Sequence, residues 1–188
     1  ENNNVKFEYW GSTDKFSKNN TLANRLINVD FNKAEKSNII STQFKLDRCL
    51  IPCDGFYFWK NFSKKEKTPY YFKYTKEKLI YCVGIRETFQ DFSGNSFKYF
   101  YFLTDQSTEK WKKFTPKIPI LFDIRYLDIW FSKTTSINKI SSFINPIKFD
   151  DFNFYTVSPY FENNNRDDIS LINPSNNLNQ YGNYSLFD

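Results

Sequence analysis

Polar and apolar positions alternate from Val5 to Trp10, the pattern of a half-buried strand, and Gly11 ends it. Ser12–Asn24 reads as a loop, and the apolar pair Leu26-Ile27 then leads into Asn28. From Asn32 or Lys33 to about Lys45, the spacing of Ala34, Ile39, Ile40 and Phe44 predicts a helix packed on one face. Arg48–Pro52 and Phe56–Lys60 read as strands joined through a turn or bulge at Pro52-Cys53-Asp54-Gly55. Asn61–Thr68 is a solvated hairpin tip, and Pro69–Tyr74 returns as a strand. Leu79–Ile85 and Phe97–Thr104 are further strands, with the turn signal Gly94-Asn95 between them. Together these runs predict a largely antiparallel sheet system.

The C-terminal third changes character. Ser107–Lys113 reads as a helical turn capped by Ser107, and Thr115-Pro116-Lys117-Ile118-Pro119 forces an extended path because each Pro fixes its own φ and restricts its predecessor. Ile124–Phe131 and Ser136–Ile144 have the spacing of short amphipathic helices, and Asn153–Val157 is a late strand. Ser175–Asp188 is an Asn/Ser/Tyr-rich tail expected to stay unstructured unless a partner orders it.

Composition changes this picture in one respect. With 22 Phe and 13 Tyr against two Ala in 188 residues, the interior must be built from flat rings. Asn, Lys, Ile, Phe and Tyr are all written by A/T-rich codons, so no individual Asn is assigned chemistry on frequency. The net charge of +5 permits contact with nucleic acid without requiring it. Cys49, Cys53 and Cys82 form no Cys-x-x-Cys pair, and the chain has no His, so neither a disulfide framework nor a metal centre is expected, and a reducing intracellular compartment, organellar or not, fits best. Cys49 and Cys82 read as small core residues. No apolar run has transmembrane length, and neither a signal peptide nor a Met opens the sequence, which begins at Glu1.

Candidate chemistry concentrates in Arg48-Cys49-Leu50-Ile51-Pro52-Cys53-Asp54-Gly55-Phe56-Tyr57-Phe58-Trp59-Lys60. This stretch resembles the central motif of the SRAP family, the SOS-response-associated peptidases, which attach covalently to abasic sites in single-stranded DNA. Tyr9-Trp10-Gly11, Ile27-Asn28-Val29, Pro69–Phe72, Val83–Glu87, Phe102–Thr104, Lys117–Leu121 and a closing stretch ending in Ile172-Asn173-Pro174 are similar to further family segments in the same order. The resemblance covers about residues 7 to 174. It implies an α+β fold, with a mainly antiparallel β-sheet or open-barrel core and short peripheral helices, as a single domain over residues 1–174 followed by the tail.

The resemblance also lets the family's working positions be inspected. Its nucleophile, a Cys following the initiator Met, has no counterpart in this sequence. Its Asn is kept as Asn28, but Phe58 stands where the family has Glu and Thr115 where it has His. Neither a phenyl ring nor a Thr hydroxyl exchanges protons near neutral pH. Asp30 and Asn32 stand where the family has Arg and an acidic residue, which weakens a phosphate site. The expectation is therefore a catalytically inactive SRAP-like domain, with no catalytic residue, cofactor, metal or membrane association. It would bind nucleic acid (single-stranded DNA or structured RNA), or protein partners within a larger assembly such as a ribonucleoprotein. Trp10, Asn28, Arg48, Lys60 and Lys117 are the candidate nucleic-acid contacts. The alternative is a sensor of abasic sites whose Cys is supplied by a segment absent from this chain.

Overall fold

The computed structural model describes residues 5–11, 27–32, 42, 44–63, 67–76, 79–90, 93–162 and 165–176. Among them, ten strands form two sheets, and the chain divides into two compact units. The first draws on residues 1–52, 81–105 and 118–147, the second on 53–80, 106–117 and 148–188.

The first unit is organised on β7 (Ser96–Gln106). β6 (Ile80–Gln90) pairs with it antiparallel, from Gly84 opposite Phe102 to Gln90 opposite Ser96. β1 (Tyr9–Trp10) and β2 (Asn28–Asp30) both pair with β7 in parallel, at Tyr99 to Phe100 and at Phe102 to Thr104. β3 (Arg48–Cys53) and β8 (Lys117–Phe122) pair with β6, and β9 (Ile144–Pro146) pairs with β8. Because side chains alternate across a strand, Tyr99, Tyr101 and Leu103 enter the core with Val83, Ile85, Ile120 and Phe122, while Phe100 and Phe102 take the opposite face. Trp130 of α1 (Leu127–Phe131) and Ile140 of α2 (Ile137–Ser141) close that core, with Phe44 set edge-on to Trp130 at 5.9 Å.

The second unit holds β4 (Gly55–Asn61), β5 (Lys67–Tyr74) and β10 (Phe152–Thr156), all antiparallel. On one face, Phe72 meets Trp111, Phe114 and Phe154 with ring centroids 4.9–5.0 Å apart, and Phe56, Phe58, Phe149 and Phe152 enlarge the group. On the other, Tyr57 packs on Tyr71 and stacks on Phe161 at 4.3 Å. The Tyr155 hydroxyl donates to the Ile172 carbonyl at 2.9 Å, and Val157 bridges Pro174, so the end of the described chain is fastened to this sheet. The core built from rings is the one the composition requires.

The sheet-dominated α+β architecture with short helices matches the expectation, and four details differ. The alternation from Val5 becomes strand only at Tyr9–Trp10, where β7 offers a partner, and Val5 and Phe7 are exposed. The sheet is mixed, since β1 and β2 run parallel to β7. Ser107 caps no helix: the short 3-10 turn begins at Trp111, and the Ser107 hydroxyl is buried without a hydrogen bond. The segment Ile124–Phe131 opens as a 3-10 turn, and the one from Ser136 stops at Ser141 because Ile144 is drawn into β9 opposite Phe122. Of the helix predicted from Asn32 or Lys33 to about Lys45, residues 32, 42, 44 and 45 are helical and the remainder lies outside the described residues, as do 12–24 and 177–188.

Candidate nucleic-acid interface

In the first unit, the parallel pairing of β1 and β2 along one edge of β7 brings Trp10 and Asn28 together. Asn28 lies opposite Phe102 in register and is exposed. The Trp10 indole packs edge-on against the Phe102 ring at 5.3 Å, and its Nε1–H donates to the Ile27 carbonyl at 3.1 Å. Although 56% exposed, Trp10 is therefore held in one orientation from two sides. Gly11 makes this possible. Its φ of 77° is the left-handed region that favours glycine, and a Cβ there would come within 3.1 Å of Ile27 Cγ2. The result is an immobilised aromatic plate beside an exposed amide, a surface suited to stacking one flat ring and hydrogen-bonding its edge.

Arg48 has a different role from the one expected. It is 8% exposed, and its guanidinium donates to the carbonyls of Trp130 (2.9 Å), Phe44 (2.9 Å), Lys45 (3.3 Å) and Ser132 (2.8 Å). The guanidinium carbon also lies 5.7 Å from the Phe44 ring and 5.6 Å from that of Trp130. Arg48 thus ties the end of one helix to the end of another, its guanidinium engaged with backbone carbonyls.

Asp30 is likewise buried, and its carboxylate accepts the Asn32 backbone N–H at 3.1 Å; the Asn32 amide donates to Asp105 at 3.2 Å. Asp30 thereby forms a turn cap at the end of β2. Arg86, with its guanidinium bonded to Asp47 and 3.4 Å from Glu8, was not singled out from the sequence. Burial works against its charge, but Asp47 and Glu8 outweigh that and hold its pKa above the usual value. Only the pairing of β6 with β3 reveals this cluster. From the sequence, Phe102 reads only as part of a strand, and its phase opposite to Tyr101 and Leu103 is the signal that sets it on the other face.

In the second unit, Lys60 is half-buried, with its Nζ 4.8 Å from the Phe62 ring centroid and 5.9 Å from that of Phe114. Lys117, three residues after Phe114, opens β8, and its N–H and carbonyl both bond the Thr115 hydroxyl (3.4 and 2.8 Å). Thr115 is thereby committed to its own turn. Phe58 lies among the rings, edge-on to Trp111 at 5.6 Å and to Phe72 at 5.5 Å. Trp59 sits beneath the Lys67 ammonium at 3.8 Å.

None of the three cysteines is joined in a disulfide. Burial pushes the Cys49 thiol up to about 12, so it is not a thiolate near neutral pH, and Cys82 is fully buried. Among the described residues, no group of three or more His, Cys, Asp or Glu is placed to hold a metal ion, and no helix is long and apolar enough to cross a membrane.

Known proteins resemble this chain in sequence and in fold. The chain is 23% identical over 178 residues to the abasic site processing protein YoaM of Bacillus subtilis, covering 94% of this chain and 78% of that protein. It is 25% identical to the abasic site processing protein YoqW of Bacillus phage SPbeta, covering 94% and 75%. A crystal structure of a protein from Bacteroides thetaiotaomicron superposes with a TM-score of 0.76 at 16% identity, covering 89% of this chain and 75% of that one. A second, from Bordetella bronchiseptica, gives 0.63 at 14% identity over 80% and 75%; at such identities these two show the fold alone. The family model described as SOS response associated peptidase (SRAP) matches residues 1–164, and the chain belongs to that family.

Proposed function

We propose that this chain binds single-stranded nucleic acid reversibly through the Trp10–Asn28 face and carries out no proton-transfer chemistry of its own. The observation that carries the reading is the Trp10 indole, exposed yet fixed by the Ile27 carbonyl and the Phe102 ring. An aromatic plate of this kind contributes about 1–3 kcal/mol per stacked base. Its relatives are named for the processing of abasic sites, which supports DNA as the ligand. Against catalysis stand Phe58, absorbed into a ring cluster, and Thr115, bonded within its turn; neither supplies an acid or base.

The test is fluorescence anisotropy of a labelled oligo-dT with the unaltered chain and the variants Trp10→Ala and Trp10→Phe. Trp10→Ala should weaken binding by roughly five- to 150-fold and Trp10→Phe by less, with the chain still folded at the assay temperature. Equal affinity of Trp10→Ala and the parent would sink the reading. A second reading, a structural subunit of a larger assembly, is favoured by Val5 and Phe7, which are apolar and almost fully exposed just before the plate. It predicts that the chain from its native source sediments with a heavier particle and that the oligonucleotide does not compete for that association.

A further inference from the structure

A second aromatic surface, at the hairpin tip of the other unit, carries an inference that deepens this reading and rests on it. Phe62 follows β4 and is 53% exposed. The Lys60 ammonium stands 4.8 Å from its ring centroid and 5.9 Å from that of Phe114, and Tyr70 braces Phe114 edge-on at 5.3 Å. The Lys60 ammonium thus has two rings beside it, the exposed Phe62 being the nearer.

The hairpin offers an internal comparison. Lys67 also covers an aromatic ring, Trp59, but a carboxylate, Glu162, lies 3.7 Å from its ammonium. Among the described residues, Lys60 has no such carboxylate beside it. A cation held beside an exposed ring is complementary to a ligand that presents a flat apolar group and a negative charge a few ångströms apart. A nucleotide within a single strand has both, its base and its phosphodiester.

We infer that Phe62 and Lys60 form a nucleotide subsite at the β4–β5 hairpin, with the base stacked on the Phe62 ring and the phosphodiester on the Lys60 ammonium. The ammonium already stands beside the Phe62 and Phe114 rings, so little side-chain freedom is lost when the phosphate arrives. The ring supplies sequence-tolerant affinity, and the ammonium supplies one unit of salt dependence.

The experiment measures oligo-dT affinity over a series of salt concentrations for the full chain and the variants Phe62→Leu, Phe62→Trp, Lys60→Gln and Trp10→Ala. Phe62→Leu keeps the apolar bulk and should weaken binding about fivefold or more, whereas Phe62→Trp should bind at least as tightly as the parent. Lys60→Gln should reduce the slope of log affinity against log salt by about one unit. If Phe62→Leu binds like the parent, or Lys60→Gln leaves the slope unchanged, while Trp10→Ala still weakens binding, the subsite is overturned and the Trp10 reading stands. If the unaltered chain binds no oligonucleotide, both fall together.

Discussion

Arg48 and Trp10 separate two things that sequence alone leaves joined, residue type and residue exposure. Both stand at positions similar to family motifs, yet Arg48 is spent on four backbone carbonyls while Trp10 faces solvent. Replacing Arg48 with Met leaves those carbonyls buried without donors, and the expected loss is about 2–4 kcal/mol in a chemical denaturation curve. The folded fraction of that variant should keep its oligonucleotide affinity, which separates a structural tie from a phosphate contact. Cys49 gives a prediction in pH. Its folded value, pushed up to about 12 by burial, lies above that of an unfolded thiol, so the folded state holds its proton more tightly. Stability from this group is complete below about pH 8.5, the ordinary thiol value, and is lost as the pH rises toward 12. Cys49→Ser should flatten the alkaline fall in melting temperature, and the native Cys49 thiol should resist alkylation at pH 8 until the chain unfolds.

At the scale of elements, alternation and turn residues located the strands well, including the break at Asp54 between β3 and β4. What they did not show was that β1 and β2 share one edge of β7 in parallel. Strands of two and three residues carry no register signal of their own, and their pairing is decided by what β7 leaves open. The Trp10–Asn28 face was therefore legible as two residues and not as a place. Two glycines test these elements. Gly11→Ala should cost about 1–2 kcal/mol, because φ there is 77°, and should loosen Trp10 enough to weaken binding. Gly55→Ala should be worse for the fold and indifferent to Trp10. A Cβ at Gly55 would lie 2.3 Å from the Phe72 carbonyl oxygen, which belongs to the strand opposite and has little room to move, so a loss of about 3 kcal/mol or more is expected in a thermal melt.

For the molecule as a whole, the central motif and its ordered companions made the family legible, because a fold is specified by many weak positions that agree. The activity was less legible, since it depends on single groups and the neighbours of such groups are set by the fold: Phe58 packs among rings and Thr115 bonds within its own turn. A net charge of +5 and an aromatic plate predict binding that weakens with salt. The most direct test is to mix the chain, at low salt, with a labelled single-stranded oligonucleotide carrying one abasic site, and then divide the sample between high salt and hot detergent. The account predicts a complex at low salt that disperses under both treatments, leaving free oligonucleotide. A protein–DNA adduct surviving hot detergent would contradict it and establish covalent capture by this chain.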